Sequence, residues 1–146
     1  MGLIFDRLPG NSGVLPREVT CDLIVGSGGV TAGLVYTLDM TTALDATYGV
    51  ATTSGAIAAS TTIGNIYVVA TETADAAATA RFVLQGWVSI TGAGALSGKQ
   101  ACSVDSAGKL IAAATESHVL AISGQGTAAA GTKVWFDGTG GFSRKT

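Results

Sequence analysis

Residues 79–90 alternate in a way that suits a β-strand and little else. Arg81, Val83 and Gln85 interleave with Phe82, Leu84 and Gly86, and Trp87-Val88 follow. Side chains in a strand repeat with period 2, so the two sets face opposite ways. Gly86 interrupts the run near its middle. Glycine inside a strand marks a bulge or bend, which here lets the two halves of a long strand face different ways.

The rest of the chain from Val19 onward reads in the same language. Cys21–Val25 is followed by Gly26-Ser-Gly-Gly29, and Leu34–Leu38 follows Gly33. Thr47–Ala51 is a further strand candidate, and Asn65–Thr71 is rich in β-branched and aromatic residues. Ala101–Asp105 and Lys109–Ala113 flank Ser106-Ala-Gly108. Asp and Gly suit the ends of a type I turn, so this pair is expected to form a hairpin. His118–Ile122 and Lys133–Asp137 complete the set, with Gly124–Gly131 as the loop between them. Eight or nine short strands at such spacings predict an all-β fold, a single small β-sandwich or β-barrel domain over residues 19–146. The alanine clusters Ala56–Ala59 and Asp75–Ala80 could each make one helical turn, but their Thr and Gly neighbours oppose long helices.

Residues 1–18 differ from the rest. They hold both prolines, Pro9 and Pro16, with Gly10-Asn-Ser-Gly13 between them, which disfavours helix and ladder pairing. Yet Leu3, Ile4, Phe5, Leu8, Val14 and Leu15 are apolar, and a disordered tail is usually more polar. An extended N-terminal arm satisfies both facts. It lies either on a neighbouring protein, which makes these six residues interaction candidates, or on its own domain.

The surface is the second constraint. Only 12% of the 146 residues are charged, although 47% are apolar. A typical soluble domain carries about twice that charge. Ala, Thr, Ser and 21 Gly take its place. Such a surface can meet another protein with few charges to strip of water, which points to a subunit of an assembly. The net charge is −2 and the eight Lys and Arg are scattered, with Arg144-Lys145 the densest group. No basic patch alternates with aromatics, so nucleic acid is not an expected partner. The start lacks a secretory pattern and no apolar run approaches ~20 residues, so no membrane partner is expected either. The protein is expected to be soluble and made in a cytoplasm.

Candidate chemistry breaks at required residues. Gly26 and Gly28 begin a dinucleotide-type glycine pattern, but Thr31 stands at its third glycine and a strand follows where a helix is needed. Gly94–Gln100 approximates a phosphate-binding loop with its glycines one residue too close and Gln100 at the magnesium-binding position. His118 is the lone histidine, and Ser117 beside it would face the other side of a strand. The ten carboxylates are dispersed near turns, as Asp75, Asp105 and Asp137 are. Cys21 and Cys102 form no CxxC motif, and Cys102 reads as a small buried hydrophobe. No cofactor, metal or catalytic residue is expected, and the chain is read as non-enzymatic. Trp87, Trp135, Phe82, Phe136, Tyr36 and Tyr67 are expected in the core, or as interface anchors where they are exposed.

The half from about Val68 to Asp137 carries a resemblance. Ala80-Arg-Phe-Val-Leu-Gln-Gly-Trp-Val-Ser89, Leu96-Ser-Gly-Lys99, Val104-Asp-Ser-Ala-Gly-Lys-Leu-Ile-Ala-Ala113, His118-Val-Leu-Ala-Ile-Ser-Gly-Gln125 and Ala128-Ala-Ala-Gly-Thr-Lys-Val-Trp-Phe136 occur in succession. This order resembles tailed-phage head decoration, or capsid cement, proteins. The resemblance implies attachment to the outside of an assembled phage head, with the major capsid protein as partner, often as a homotrimer at local threefold positions. It places the protein on the capsid exterior of the virion. Other readings are a different structural role, in a tail, fibre or surface layer, and a carbohydrate-binding β module using Trp87 or Trp135.

Overall fold

The computed structural model describes residues 18–39, 50–53, 66–114, 119–124 and 131–139. They form nine strands: β1 (Val19–Val25), β2 (Val35–Asp39), β3 (Val50–Thr53), β4 (Tyr67–Ala70), β5 (Thr79–Ile90), β6 (Ala101–Val104), β7 (Leu110–Ala112), β8 (Ala121–Ser123) and β9 (Thr132–Asp137). No helix occurs among the described residues. The fold is all-β, and the sheet curls as a small barrel or sandwich requires. The 75–80 alanine cluster is a turn running into β5. The Ala56–Ala59 cluster lies outside the described residues.

The pairings contain a ring. β1 pairs with β3 in parallel, β3 with β2, β2 with β4, β4 with β5, and β5 returns to β1. Five strands thus close on themselves, which removes their free edges. Leu23, Val25, Val30, Tyr36, Val68, Ala70, Ala80 and Phe82 are buried together. They come from strands or turns around this ring and fill its interior. The Tyr36 hydroxyl accepts a hydrogen bond from the Thr31 amide at 2.8 Å, so the one polar group of that side chain is satisfied.

The remaining strands curl beside the ring in the order β5-β9-β8-β6-β7. The outer edge of β7 is met by the chain just after β5. The Leu110 amide donates to the Thr91 carbonyl at 2.8 Å, and the Ala93 amide donates to the Leu110 carbonyl at 2.9 Å. A second core forms here, with Val88, Ile90, Leu96, Cys102, Val104, Leu110, Leu120, Ala121, Val134 and Phe136. Val35, Tyr67, Val69 and Val83 from the five-stranded ring join it. The curled half therefore packs on the outside of the ring. Three backbone bonds lock the halves: Val35 N to Gly108 O at 2.9 Å, Tyr67 N to Gly138 O at 2.8 Å, and Thr91 N to Gly33 O at 2.8 Å.

β5 serves both halves, and Gly86 is where it changes allegiance. Ala80 and Phe82 point into the ring, while Val88 and Ile90, also even-numbered, point into the second core. The pairing with β1 skips a residue there, running Thr20 with Val83 but Val19 with Gln85. Gly86 has φ +130°, and a Cβ on it would meet the Glu18 Cα at 2.8 Å. The bend anticipated at this glycine is therefore present, with a bulge just before it.

The hairpin at 105–108 also forms as expected. The Asp105 carbonyl accepts from the Gly108 amide at 3.0 Å, and its Oδ1 accepts from the Ala107 and Lys109 amides, each at 2.9 Å. The sequence-based strand bounds shift at other places. Lys109 and Ala113 fall outside β7, and β8 begins only at Ala121. Val119 and Leu120 are buried without belonging to a strand, because burial continues past the last ladder pair.

Gly86→Ala is expected to lower unfolding stability by about 2–4 kcal/mol, from strained backbone plus overlap with Glu18. Gly94→Ala, where a Cβ meets nothing within 4 Å, should stay within about 0.5 kcal/mol of the parent. Paired denaturant titrations check both.

Candidate interaction surface

The two tryptophans lie on the outward face of the curled half. Val88 and Val134 point into the core, so their strand neighbours Trp87 and Trp135 point the other way. The registers align them with two more apolar residues: Trp87 opposes Trp135, Trp135 opposes Ile122, and Ile122 opposes Ala101. The result is an apolar row across β5, β9, β8 and β6. All four residues are partly buried. The indoles meet edge to face, with centroids 5.8 Å apart and planes at 80°. Gln85 with Asp137 flanks the row on one side, and Ser89 with Lys133 on the other. An apolar strip with a polar rim is the usual build of a contact surface.

The Trp87 Nε1 is buried and has no hydrogen-bond partner. A donor in that state is costly unless an acceptor arrives. The hydroxyl of Ser103, on the same strand as Ala101, is in the same condition. Trp87 and Trp135 are thus neither core residues nor freely exposed rings. The other four aromatics expected in the core, Phe82, Phe136, Tyr36 and Tyr67, are buried.

A second surface feature sits on the ring. Asp22 on β1 stands opposite Arg81 on β5. The Arg81 Nε donates to Asp22 Oδ1 at 3.0 Å, and the Arg81 amide donates to Glu72 Oε1 at 2.9 Å. These residues, with Thr71, Thr79 and Ala80, line a shallow depression. The pair is exposed, at 61% and 48%, so it contributes little to stability. It reads as a cross-strand pair that fixes register. The Arg81 hydrogen bond, helped by its charge, holds the Asp22 carboxyl below the ordinary carboxylate range.

The cysteines are both free thiols. Cys102 is buried as expected and its Sγ donates to the Gln100 carbonyl at 3.3 Å. Burial, and next the Asp22 carboxylate, push the Cys21 thiol above its ordinary value. Both effects disfavour the reactive thiolate of Cys21. The glycine turn at 26–29 leads to β2 and not to a helix, and Gly94–Gln100 precedes β6 as a turn. In that turn the Ser97 amide donates to Gln100 Oε1 at 2.8 Å. Leu3, Ile4, Phe5, Leu8, Val14, Leu15, Ser117 and His118 lie outside the described residues. Among the described residues, no group of three or more His, Cys, Asp or Glu gathers as metal ligands would.

The fold has a likeness among solved structures. The N base of the head fibre protein gp8.5 of bacteriophage phi29 superposes with a TM-score of 0.60. The match covers 83% of this chain and 95% of that one, at 9% sequence identity. The fold is one used by the base of a phage head fibre. No protein-family model matches the chain, and no curated protein matches it in sequence. The likeness is therefore one of backbone architecture.

Arg81→Gln should raise the Asp22 pKa back towards the ordinary carboxylate range. In the parent, the folded-state value is the lower one, so the pair's contribution is present above the ordinary value. It is lost as pH falls through the depressed value. Carboxyl-carbon NMR titration of both proteins checks the sign.

Proposed function

We propose that this chain is a structural protein of a phage head: a capsid cement protein that binds the outside of the assembled shell and bridges copies of the major capsid protein. The observation that carries this reading is the fold shared with a head-fibre base over nearly all of that base. The low surface charge supports it, because flat packing against a shell then strips few charges of water. The protein's work is mechanical, not catalytic. Cement proteins act by binding the assembled state in preference to the free subunits, which stabilises the shell by mass action. Self-association as a trimer would multiply weak contacts into avid ones.

A second reading keeps the head and changes the task. The phi29 protein is a fibre base, and this chain covers nearly its full length. As a base it would sit on the shell and present another segment outward. Attachment to a tail draws no support from this likeness. A carbohydrate-binding role is weakened by the tryptophan pair itself, since the edge-to-face contact occupies one ring face and Trp87 Nε1 is buried.

Cosedimentation with purified empty heads and with tails tests the head assignment, and the heat stability of occupied heads separates a cement protein from a fibre base. Saturable binding to heads alone is expected, and head stability towards heat should rise with occupancy. Binding to tails, or to neither, would sink the proposal. Because few charges meet at the contact, a tenfold rise in ionic strength should change head affinity by less than about threefold.

A further inference from the structure

The outward row Trp87-Trp135-Ile122-Ala101 needs an occupant, and the chain's own course supplies a candidate. The last residue before β1, Glu18, is pressed against Gly86, immediately before Trp87. Residues 1–17 therefore begin at the edge of the row. The backbone of Trp87 points the same way. On β9, the Asp137 amide bonds to Leu120 and the Lys133 carbonyl to Gly124. The odd-numbered residues of β9 thus bond towards β8, and the even-numbered ones towards β5. Trp87, which opposes Trp135, turns its own amide and carbonyl away from β9. They face the side on which Val19 meets Gln85 and from which Glu18 arrives. Two groups of Trp87, the amide and the carbonyl, thus lie where this segment enters.

Length and composition fit as well. The row crosses four strands, about 14 Å at ~4.8 Å per step. Leu15, three residues before Glu18, can reach about 10 Å from it, and Leu8 about 35 Å. Val14 and Leu15 therefore reach the tryptophans, and Leu8, Phe5, Ile4 and Leu3 can reach its far end. The segment's apolar residues offer cover, and its peptide carbonyls offer the acceptor that Trp87 Nε1 lacks.

We propose that residues 1–17 of the same chain dock across the tryptophan row, with Val14 and Leu15 over Trp87 and Trp135. Of the two placements that the sequence leaves open for this segment, its own domain is the one assigned. Tethering favours this over the same segment from another copy, because a short tether holds the ligand at an effective concentration of about millimolar. The inference is independent of what the protein binds outside itself.

Both tryptophans of the chain stand in this row, so its entire tryptophan emission reports on the row. The test compares the full chain with a form lacking residues 2–17 and with Val14→Asp/Leu15→Asp. Acrylamide quenching should rise by about twofold or more in both variants, with a red-shifted emission, as cover is lost. In the full chain, quenching should not depend on protein concentration. Where truncation unfolds the chain, Leu15→Ser is read instead, with far-UV circular dichroism as the folding control. Folded variants that quench like the parent overturn the proposal. Protection that grows with concentration assigns the row to a second copy, and protection that appears only with added heads assigns it to the shell. Either outcome overturns docking by the same chain.

Discussion

One strand holds this fold together, and a single glycine lets it do so. β5 closes the five-stranded ring with β1 and β4, then leaves it to pair with β9. A regular strand offers each core residues of one parity only, since residues of one parity keep to one face. The bulge before Gly86 and its φ of +130° reverse the assignment. Even-numbered residues fill the ring before it and the second core after it. Any side chain at this position must displace Glu18, so β1, β5 and the entry of the N-terminal segment meet at one point. The outward placement of Trp87 is a direct consequence of that reversal.

Local chemistry made much of this legible. The run from Thr79 to Ile90 is a strand with those bounds, and the turn at Asp105 is specified by its own side chain, which accepts two amides. What stayed hidden depends on contacts distant in sequence. Nothing near Asp22 indicates that Arg81 lies opposite, or that β1 and β3 run parallel. Val83 shows the limit of alternation. It is buried although its parity differs from that of Phe82, because the ring interior covers one face of β5 and the second core the other.

The tryptophans show why the candidate surface was harder to read than the fold. Trp87 and Trp135 occupy strands, as the sequence indicates, but strand membership does not choose a face. The face depends on where Gly86 reverses the pattern and on which residue of β9 stands opposite. Once the register is known, four residues from four strands become one row, though they are spread over residues 87–135. The six apolar residues of the N-terminal segment were legible as an unusual composition, and the entry of the chain at Gly86 gives that composition a direction.

The same closures limit how such a protein can join others. Strand addition needs an open edge. The ring returns on itself, and the outer edge of β7 is met by Thr91 and Ala93. Apart from the end of β5 past Gly86, which no described strand pairs on the β1 side, the broad surfaces left among the described residues are the faces of the strands. Association through faces depends on side chains, where charge density sets the desolvation cost. A chain with 12% charged residues and abundant Ala, Ser, Thr and Gly keeps that cost low at each contact. It also gains little energy from any one contact, since small side chains bury little apolar area. Tight attachment to any partner then has to come from shape and from many copies acting together.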